Sequence, residues 1–131
     1  MKLWIVIILA IIAFVAYKGV SFAGNEGVAV ETIKPEQAKE IMESGREYIL
    51  LDVRTREEYD ANGHLKNAVL IPDYELTSRA LAELPDKNAL RMVYCRSGRR
   101  SLAAARALAD MGYSNVKDIG GIINWPYDIE K

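Results

Sequence analysis

The chain has 131 residues, half of them apolar and 27% charged, with 17 Lys+Arg against 18 Asp+Glu for a net charge of −1. These proportions suit one globular domain and exclude a disordered, collagenous or low-complexity chain. The even charge balance excludes a dedicated nucleic-acid binder, and a single cysteine with a single histidine excludes an internal disulfide and the usual tetrahedral zinc sites.

Apolar residues concentrate at the start. Leu3 to Tyr17 is an unbroken apolar run of 15 residues with no polar face, unlike a core-facing helix. It reads as an export or anchoring segment. As a signal peptide it would be cut after Ala23, using the small residues Ser21 and Ala23. As an anchor it would be an apolar helix through residues 3–22, with Trp4 near one interface and Tyr17, Lys18 and Phe22 near the other. The reading is therefore residues 1–23 as signal peptide or transmembrane anchor, 24–27 as a linker built on Gly24, Asn25 and Gly27, and 28–131 as the domain. The domain is expected outside the cytoplasm, membrane-anchored or periplasmic, with Lys2 favouring an N-in orientation.

Beyond the linker, short strands alternate with helices. Val28 to Ile33 is a weak first strand. Pro35 opens a helix, with Glu36 favourable at its positive end and Ser44-Gly45 at its close. Tyr48 to Val53 is a continuous apolar run closed by Asp52, as in a strand buried on both faces. Thr55 caps a short acidic helix over Arg56 to Asp60, ended by Asn62-Gly63. Ala68 to Ile71 is a third strand, Leu76 to Leu84 a helix, and Arg91 to Tyr94 a fourth strand. Ser101 to Met111 is an Ala-rich helix ended by Gly112. Val116 to Ile119 is a fifth strand, followed by Gly120-Gly121 and a helical turn carrying Trp125. Alternation of this kind predicts an α/β fold: a three-layer α/β/α sandwich with about five parallel strands joined by right-handed crossovers. Its chemistry belongs beyond the C-terminal strand ends.

The fourth strand ends at Tyr94, and the next residue is the lone cysteine. Cys95-Arg96-Ser97-Gly98-Arg99-Arg100-Ser101 thus lies between a strand end and a helix N-terminus. Free helix amides, the helix dipole, a glycine that lets the loop curl and three arginines all favour Cys95 as a thiolate. Inert packing is the commoner fate of a lone cysteine, but a strand end followed by glycine and arginines is a poor place for it.

In order along the chain, Leu51-Asp52-Val53-Arg54 with Glu57, Glu58 and Tyr59, then Gly63-His64-Leu65-Lys66-Asn67-Ala68 running on to Ile71-Pro72, then Val93-Tyr94-Cys95-Arg96-Ser97-Gly98-Arg99-Arg100-Ser101, and finally Gly112-Tyr113 and Gly120-Gly121 with Trp125, resemble the single-domain rhodanese-like sulfurtransferases. The resemblance covers residues 28 to 126. It implies that Cys95 takes a sulfane sulfur from a donor, thiosulfate-like or persulfide, holds it as a persulfide, and passes it to cyanide or a thiol. It also implies an active-site loop of Arg96, Ser97, Gly98, Arg99, Arg100 and Ser101, no metal or organic cofactor, and a monomer. Thiosulfate-specific relatives often carry Lys where this chain has Ser97. Lys66 and Asn67 replace the family's Pro-Gly, and Asn tolerates the left-handed geometry of that turn.

Other residues read as scaffold. Asp52 is expected to bond loop backbone and Arg54 to pair with Glu57 or Glu58. His64 is expected to make a structural hydrogen bond, Gly120 and Gly121 to form a tight turn, and Trp125 to lie in the core. Two other classes bear weighing. Cysteine phosphatases and arsenate reductases place an arginine six positions after the cysteine; here that residue is Ser101, and Arg100 comes one place early. A non-catalytic interaction or persulfide-carrier module of the same fold is the third, although such modules usually lose the cysteine.

Overall fold

The computed structural model describes residues 30–131. The apolar run, the linker and the membrane helix expected from them lie outside those residues; among the described residues no helix is long and apolar enough to cross a membrane.

The elements follow the alternating pattern: β1 (Val30–Thr32), α1 (Pro35–Glu43), β2 (Ile49–Asp52), α2 (Arg56–Asn62), β3 (Val69–Leu70), a 3-10 turn (Asp73–Glu75), α3 (Leu76–Glu83), β4 (Arg91–Cys95), α4 (Arg99–Asp110), β5 (Val116–Gly121) and a final 3-10 turn (Ile122–Asn124). The strands form one sheet in the order β1-β5-β4-β2-β3, and every pairing is parallel. The third strand is shorter than its apolar run suggests: the Ala68 amide is taken by a turn bond to the Leu65 carbonyl, and pairing with β2 ends as the Ile71 amide meets the Asp52 carbonyl, just before Pro72.

Period-two alternation sends successive side chains to opposite faces. Leu51, Val53, Val93, Cys95 and Val116 pack with Leu76 and Ala80 of α3 and Ala104, Ala105 and Leu108 of α4. Leu50, Met92, Tyr94 and Ile119 pack on the other face with Ala38 of α1 and Leu65. The sheet is thus covered on both sides, which explains why β2 and β4 read as nearly continuous apolar runs. Trp125 is half-buried at the margin of this second cluster. β4 and β5 slip register beside the C-terminal strand ends: Val93 pairs with Asp118, but Cys95 pairs with Gly121. The extra residue in β5 is a bulge, and it turns the strand end at the place where Cys95 emerges.

A buried polar network fixes those ends. Asp52, at the end of β2, accepts from the Arg54 amide at 2.9 Å and from Arg54 Nε and Nη2 at 3.0 and 2.7 Å. The Tyr94 hydroxyl donates to Asp52 Oδ2 at 2.8 Å and accepts from the Leu65 amide at 3.0 Å. Arg54 Nη2 also reaches the Gly63 carbonyl at 2.7 Å. Arg54 therefore pairs with Asp52, two residues back, and not with Glu57 or Glu58. With a guanidinium only 1% exposed, the pairing has a physical reason: the acids on α2 lie toward solvent, while a buried charge needs a buried partner. Burial alone would lower the Arg54 pKa, but the hydrogen bonds and charge of Asp52 outweigh it and the net shift is upward. Burial, followed by the charge of Asp52, pushes the Tyr94 phenol well above its ordinary range.

Removing one partner of a buried pair leaves the other unsatisfied. Arg54→Ala is expected to cost about 3–5 kcal/mol in urea unfolding, and Tyr94→Phe about 1–3 kcal/mol by orphaning the Leu65 amide. If Arg54→Ala unfolded within a few tenths of a kcal/mol of wild type, the network would not be what holds these strand ends.

Candidate active site

Cys95 closes β4 and is fully buried beneath the loop that follows. The loop is short because α4 begins at Arg99, two residues earlier than its Ala-rich stretch suggests. Gly98 makes this possible. It caps the helix with φ 102°, a conformation that costs a side-chain-bearing residue. Its amide then points back at Cys95, donating to Sγ at 3.0 Å. A backbone donor aimed at sulfur is the arrangement an anionic sulfur requires.

The loop rests on the β5 bulge. A Cβ on Gly121 would collide with the Arg96 carbonyl and come within 2.6 Å of Ser97 Cα, so only glycine admits this approach. The Arg96 carbonyl in turn accepts from the Ile123 amide at 3.2 Å. Gly120 and Gly121 are therefore the floor of the loop.

The three arginines separate into two kinds. Arg96 and Arg99 are exposed. Arg100 lies lower and is clamped by Glu58, with Nη1 to Oε1 at 2.7 Å and Nη2 to Oε2 at 2.9 Å. Glu58 itself is held by the Thr55 cap: its amide donates to Thr55 Oγ1 at 3.1 Å. The hydrogen bonds from Arg100, aided by Thr55 and opposed by desolvation, lower the Glu58 pKa to about 2. The same bonds raise the pKa of Arg100. Ser97 is exposed, and Ser101 is wholly buried behind Cys95.

Ser101 Oγ lies 3.5 Å from Cys95 Sγ and 2.7 Å from Asp118 Oδ1. Asp118, only 3% exposed, also accepts from the Gly120 amide at 3.0 Å and Thr32 Oγ1 at 3.3 Å. Asp118 did not stand out in the sequence reading; the one available signal was an acid inside a buried strand just before Gly-Gly. Asp52 and Arg54 make no hydrogen bond to the Cys95 loop and act on it through Tyr94. His64 sits apart from Cys95's hydrogen-bond partners. Its Nδ1 lies 2.9 Å from the Leu65 carbonyl, and its ring stacks on Tyr59 at 4.0 Å. Its backbone pairs with Glu130 in both directions at 2.8 Å, holding the C-terminal segment.

A cleft of about 430 Å³ opens beside the loop, lined by Arg96, Glu58, Asn62, Ile122, Ile123 and Ile129 among others. A larger one, about 870 Å³, lies at the opposite sheet end against Tyr48, Leu90 and Asn115. Of these two, the smaller cleft is the one that borders the Cys95 loop, through Arg96.

Comparison with known proteins agrees with this geometry. A family model described as the rhodanese-like domain matches residues 34–126. The thiosulfate sulfurtransferase PspE of Escherichia coli K12 is 40% identical over 72 residues, covering 55% of this chain and 68% of that protein. The adenylyltransferase and sulfurtransferase UBA4 of Candida albicans is 34% identical over 105 residues, 75% of this chain but 24% of that much longer protein. Among solved structures, a rhodanese with anions from E. coli superposes with a TM-score of 0.58 at 35% identity, over 63% of this chain and 95% of its own.

The Glu58–Arg100 clamp has a pH signature. Because folding lowers the Glu58 pKa from 4.5 to about 2, its contribution is complete above the higher value and disappears as pH falls toward the lower. Glu58→Gln should cost about 1 kcal/mol at neutral pH and nothing near the lower limit. Urea unfolding at stepped pH reads this; a constant difference across the range would rule the clamp out as its cause.

Proposed function

The chain belongs to the rhodanese-like domain family, and we propose that it is a sulfurtransferase that carries sulfur as a persulfide on Cys95. The observation that carries the reading is the Gly98 amide directed at Cys95 Sγ at 3.0 Å, in a six-residue loop from Cys95 to Arg100. The kinship with sulfurtransferases supports it.

The Cys95 thiolate attacks the outer sulfur of an anionic donor. A sulfur–sulfur bond forms to Cys95, the donor's own bond to that sulfur breaks, and the electron pair leaves with the departing anion. With thiosulfate, the leaving group is sulfite. Cyanide or a thiolate then attacks the outer persulfide sulfur, and Cys95 departs as the thiolate that began the cycle. The negative sulfur is favoured at both stages by the loop amide and by the N-terminal end of α4. Arg96 and Arg99 project into solvent, where their charge draws anionic donors toward the loop. Arg100, committed to Glu58, holds the loop from the side. Neither a metal nor an organic cofactor enters the scheme.

The apolar run Leu3–Tyr17 supports a second part of the proposal: delivery to a membrane, with the domain outside the cytoplasm. Exposed in water, such a run exceeds the apolar patch a soluble monomer tolerates. Protease should reach the domain in intact spheroplasts; protected, soluble full-length protein would overturn this part alone.

For the chemistry, the full chain incubated with thiosulfate should gain the mass of one sulfur atom on Cys95, and cyanide should remove it. Cys95→Ser should abolish the gain while leaving unfolding unchanged within about 1 kcal/mol, since a hydroxyl keeps the small volume of the site. A Ser variant that still acquired cyanide-removable sulfur would exclude Cys95 as the carrier. Neutralising Arg96 and Arg99 together should lower kcat/KM for thiosulfate several-fold, with the difference shrinking as salt is raised. Equal losses at all ionic strengths would exclude long-range attraction.

A further inference from the structure

The cleft of about 430 Å³ beside the Cys95 loop has two unlike sides. Arg54, Glu58, Asn62 and Arg96 make one polar, and Ile122, Ile123 and Ile129 make the other apolar. Strand register brings the apolar side next to the sulfur: Cys95 pairs with Gly121, and Ile122 and Ile123 follow directly from it. The Ile123 amide donates to the Arg96 carbonyl at 3.2 Å, which fastens this turn to the loop. The Ile123 side chain is left 61% exposed. Ile129 comes from the C-terminal segment, which the two-way backbone pairing of Glu130 with His64 holds against the Gly63 turn. That approach is close: a Cβ on Gly63 would come within 2.6 Å of the Glu130 carbonyl oxygen and 3.1 Å of Ile129 Cδ1. One exposed isoleucine calls for no explanation. Three on one wall of the cleft beside Cys95 make a surface for an apolar group.

The charges on the polar side are not equally available. Arg54 is held by Asp52 and the Gly63 carbonyl, and Glu58 by Arg100. Arg96 is exposed, and the ion pairs among the described residues leave it without an acid. We propose that this cleft is the acceptor subsite and takes a low-molecular-weight organic thiol with an apolar chain and a carboxylate. The chain lies on Ile122, Ile123 and Ile129, and the carboxylate meets Arg96. Diatomic cyanide would leave most of such a cleft empty, whereas small organic ligands fill clefts of several hundred Å³. The inference rests on the persulfide reading of Cys95 and names the class of acceptor for that same site.

Transfer balances without a further reactant. The acceptor's thiolate sulfur attacks the outer persulfide sulfur. A sulfur–sulfur bond forms to the acceptor as the bond to Cys95 Sγ breaks, and the electron pair of the broken bond stays on Cys95 as the thiolate. The acceptor leaves as an organic persulfide. Each methylene moved from water onto the isoleucine wall strengthens binding, so the wall makes transfer depend on chain length.

The test loads the full chain, in detergent, with thiosulfate, removes the excess, and supplies straight-chain mercapto carboxylates from mercaptopropionate to mercaptohexanoate. The organic persulfide formed is trapped with iodoacetamide and quantified by mass. In wild type the second-order rate constant should rise about two- to fourfold with each added methylene, the range from half to full burial of that group. Ile123→Ser changes an exposed position and should cut the total gain from propionate to hexanoate about threefold. Adding Ile129→Ala should nearly abolish the gain; if that double variant does not fold by circular dichroism, Ile123→Ser alone decides. Partitioning of the acceptors into detergent is common to both forms and cancels between them. Arg96→Gln should erase an advantage of about two- to fivefold that mercaptohexanoate holds over mercaptohexanol. Equal gains in wild type and folded Ile123→Ser overturn the apolar subsite, and a carboxylate advantage that survives Arg96→Gln overturns the role of Arg96. Mass gain with thiosulfate is read first. No gain defeats the persulfide reading and this inference with it, whereas gain followed by equal chain-length dependence defeats only the inference.

Discussion

The carboxylate of Asp52 is the point on which the reactive end of the sheet depends. It draws in a guanidinium and a phenol, and each brings a different part of the chain: Arg54 the entry to α2 and the Gly63 carbonyl, Tyr94 the end of β4 and the Leu65 amide. Burying two ions is costly, and a pair of this kind is weak evidence for net stability. Its effect is geometric. Every strong donor in the group has one place to go, so the ends of β2 and β4 and the turn at Gly63–Leu65 take one relative position. Tyr94 immediately precedes Cys95 and faces the opposite side of the sheet. Cys95 is thus positioned by a polar network it never touches.

The loop above it is fixed from two further sides. Below, the β5 bulge and Gly121 permit a backbone approach that any side chain would block. Laterally, Glu58 holds Arg100 and so joins the first turn of α2 to the first turn of α4. These contacts leave Arg96 and Arg99 as the loop's exposed cations. Sequence proximity suggested three equivalent arginines, but one is a structural clamp whose charge is already balanced.

The alternation of strands and helices was legible because fully covered parallel strands are apolar on both faces, as in Tyr48 to Val53, and because Thr55, Pro72 and Gly112 punctuate the chain with unambiguous turn chemistry. Cys95 was legible from its place between a strand end and a glycine. The partners of Arg54 and Arg100 were not. Arg54 has Asp52, Glu57 and Glu58 within a few residues, and local spacing cannot say which acid is buried; the partner of Arg100 lies 42 residues away. Asp118 was hidden for a related reason: its partners Thr32 and Ser101 are 86 and 17 residues away, and only the β1-β5-β4 neighbourhood brings them together. Helix α4 began early because the left-handed Gly98 can cap it, a backbone event that the Ala-rich pattern does not reveal.

The same contacts bear on the choice between sulfur and phosphorus chemistry. A phosphatase loop needs a guanidinium free to grip two oxygens of a tetrahedral dianion. Here the corresponding arginine comes one residue early, and both of its forks are occupied by Glu58 at 2.7 and 2.9 Å. Releasing it would expose a carboxylate toward the incoming anion, adding repulsion where attraction is required. A persulfide asks for less: one additional sulfur, one negative charge and backbone donors close to it. The Gly98 amide already points there, and the surface arginines can attract a donor without entering the loop. The restraint that removes Arg100 from substrate binding therefore disfavours a phosphoryl group and leaves sulfur transfer unhindered.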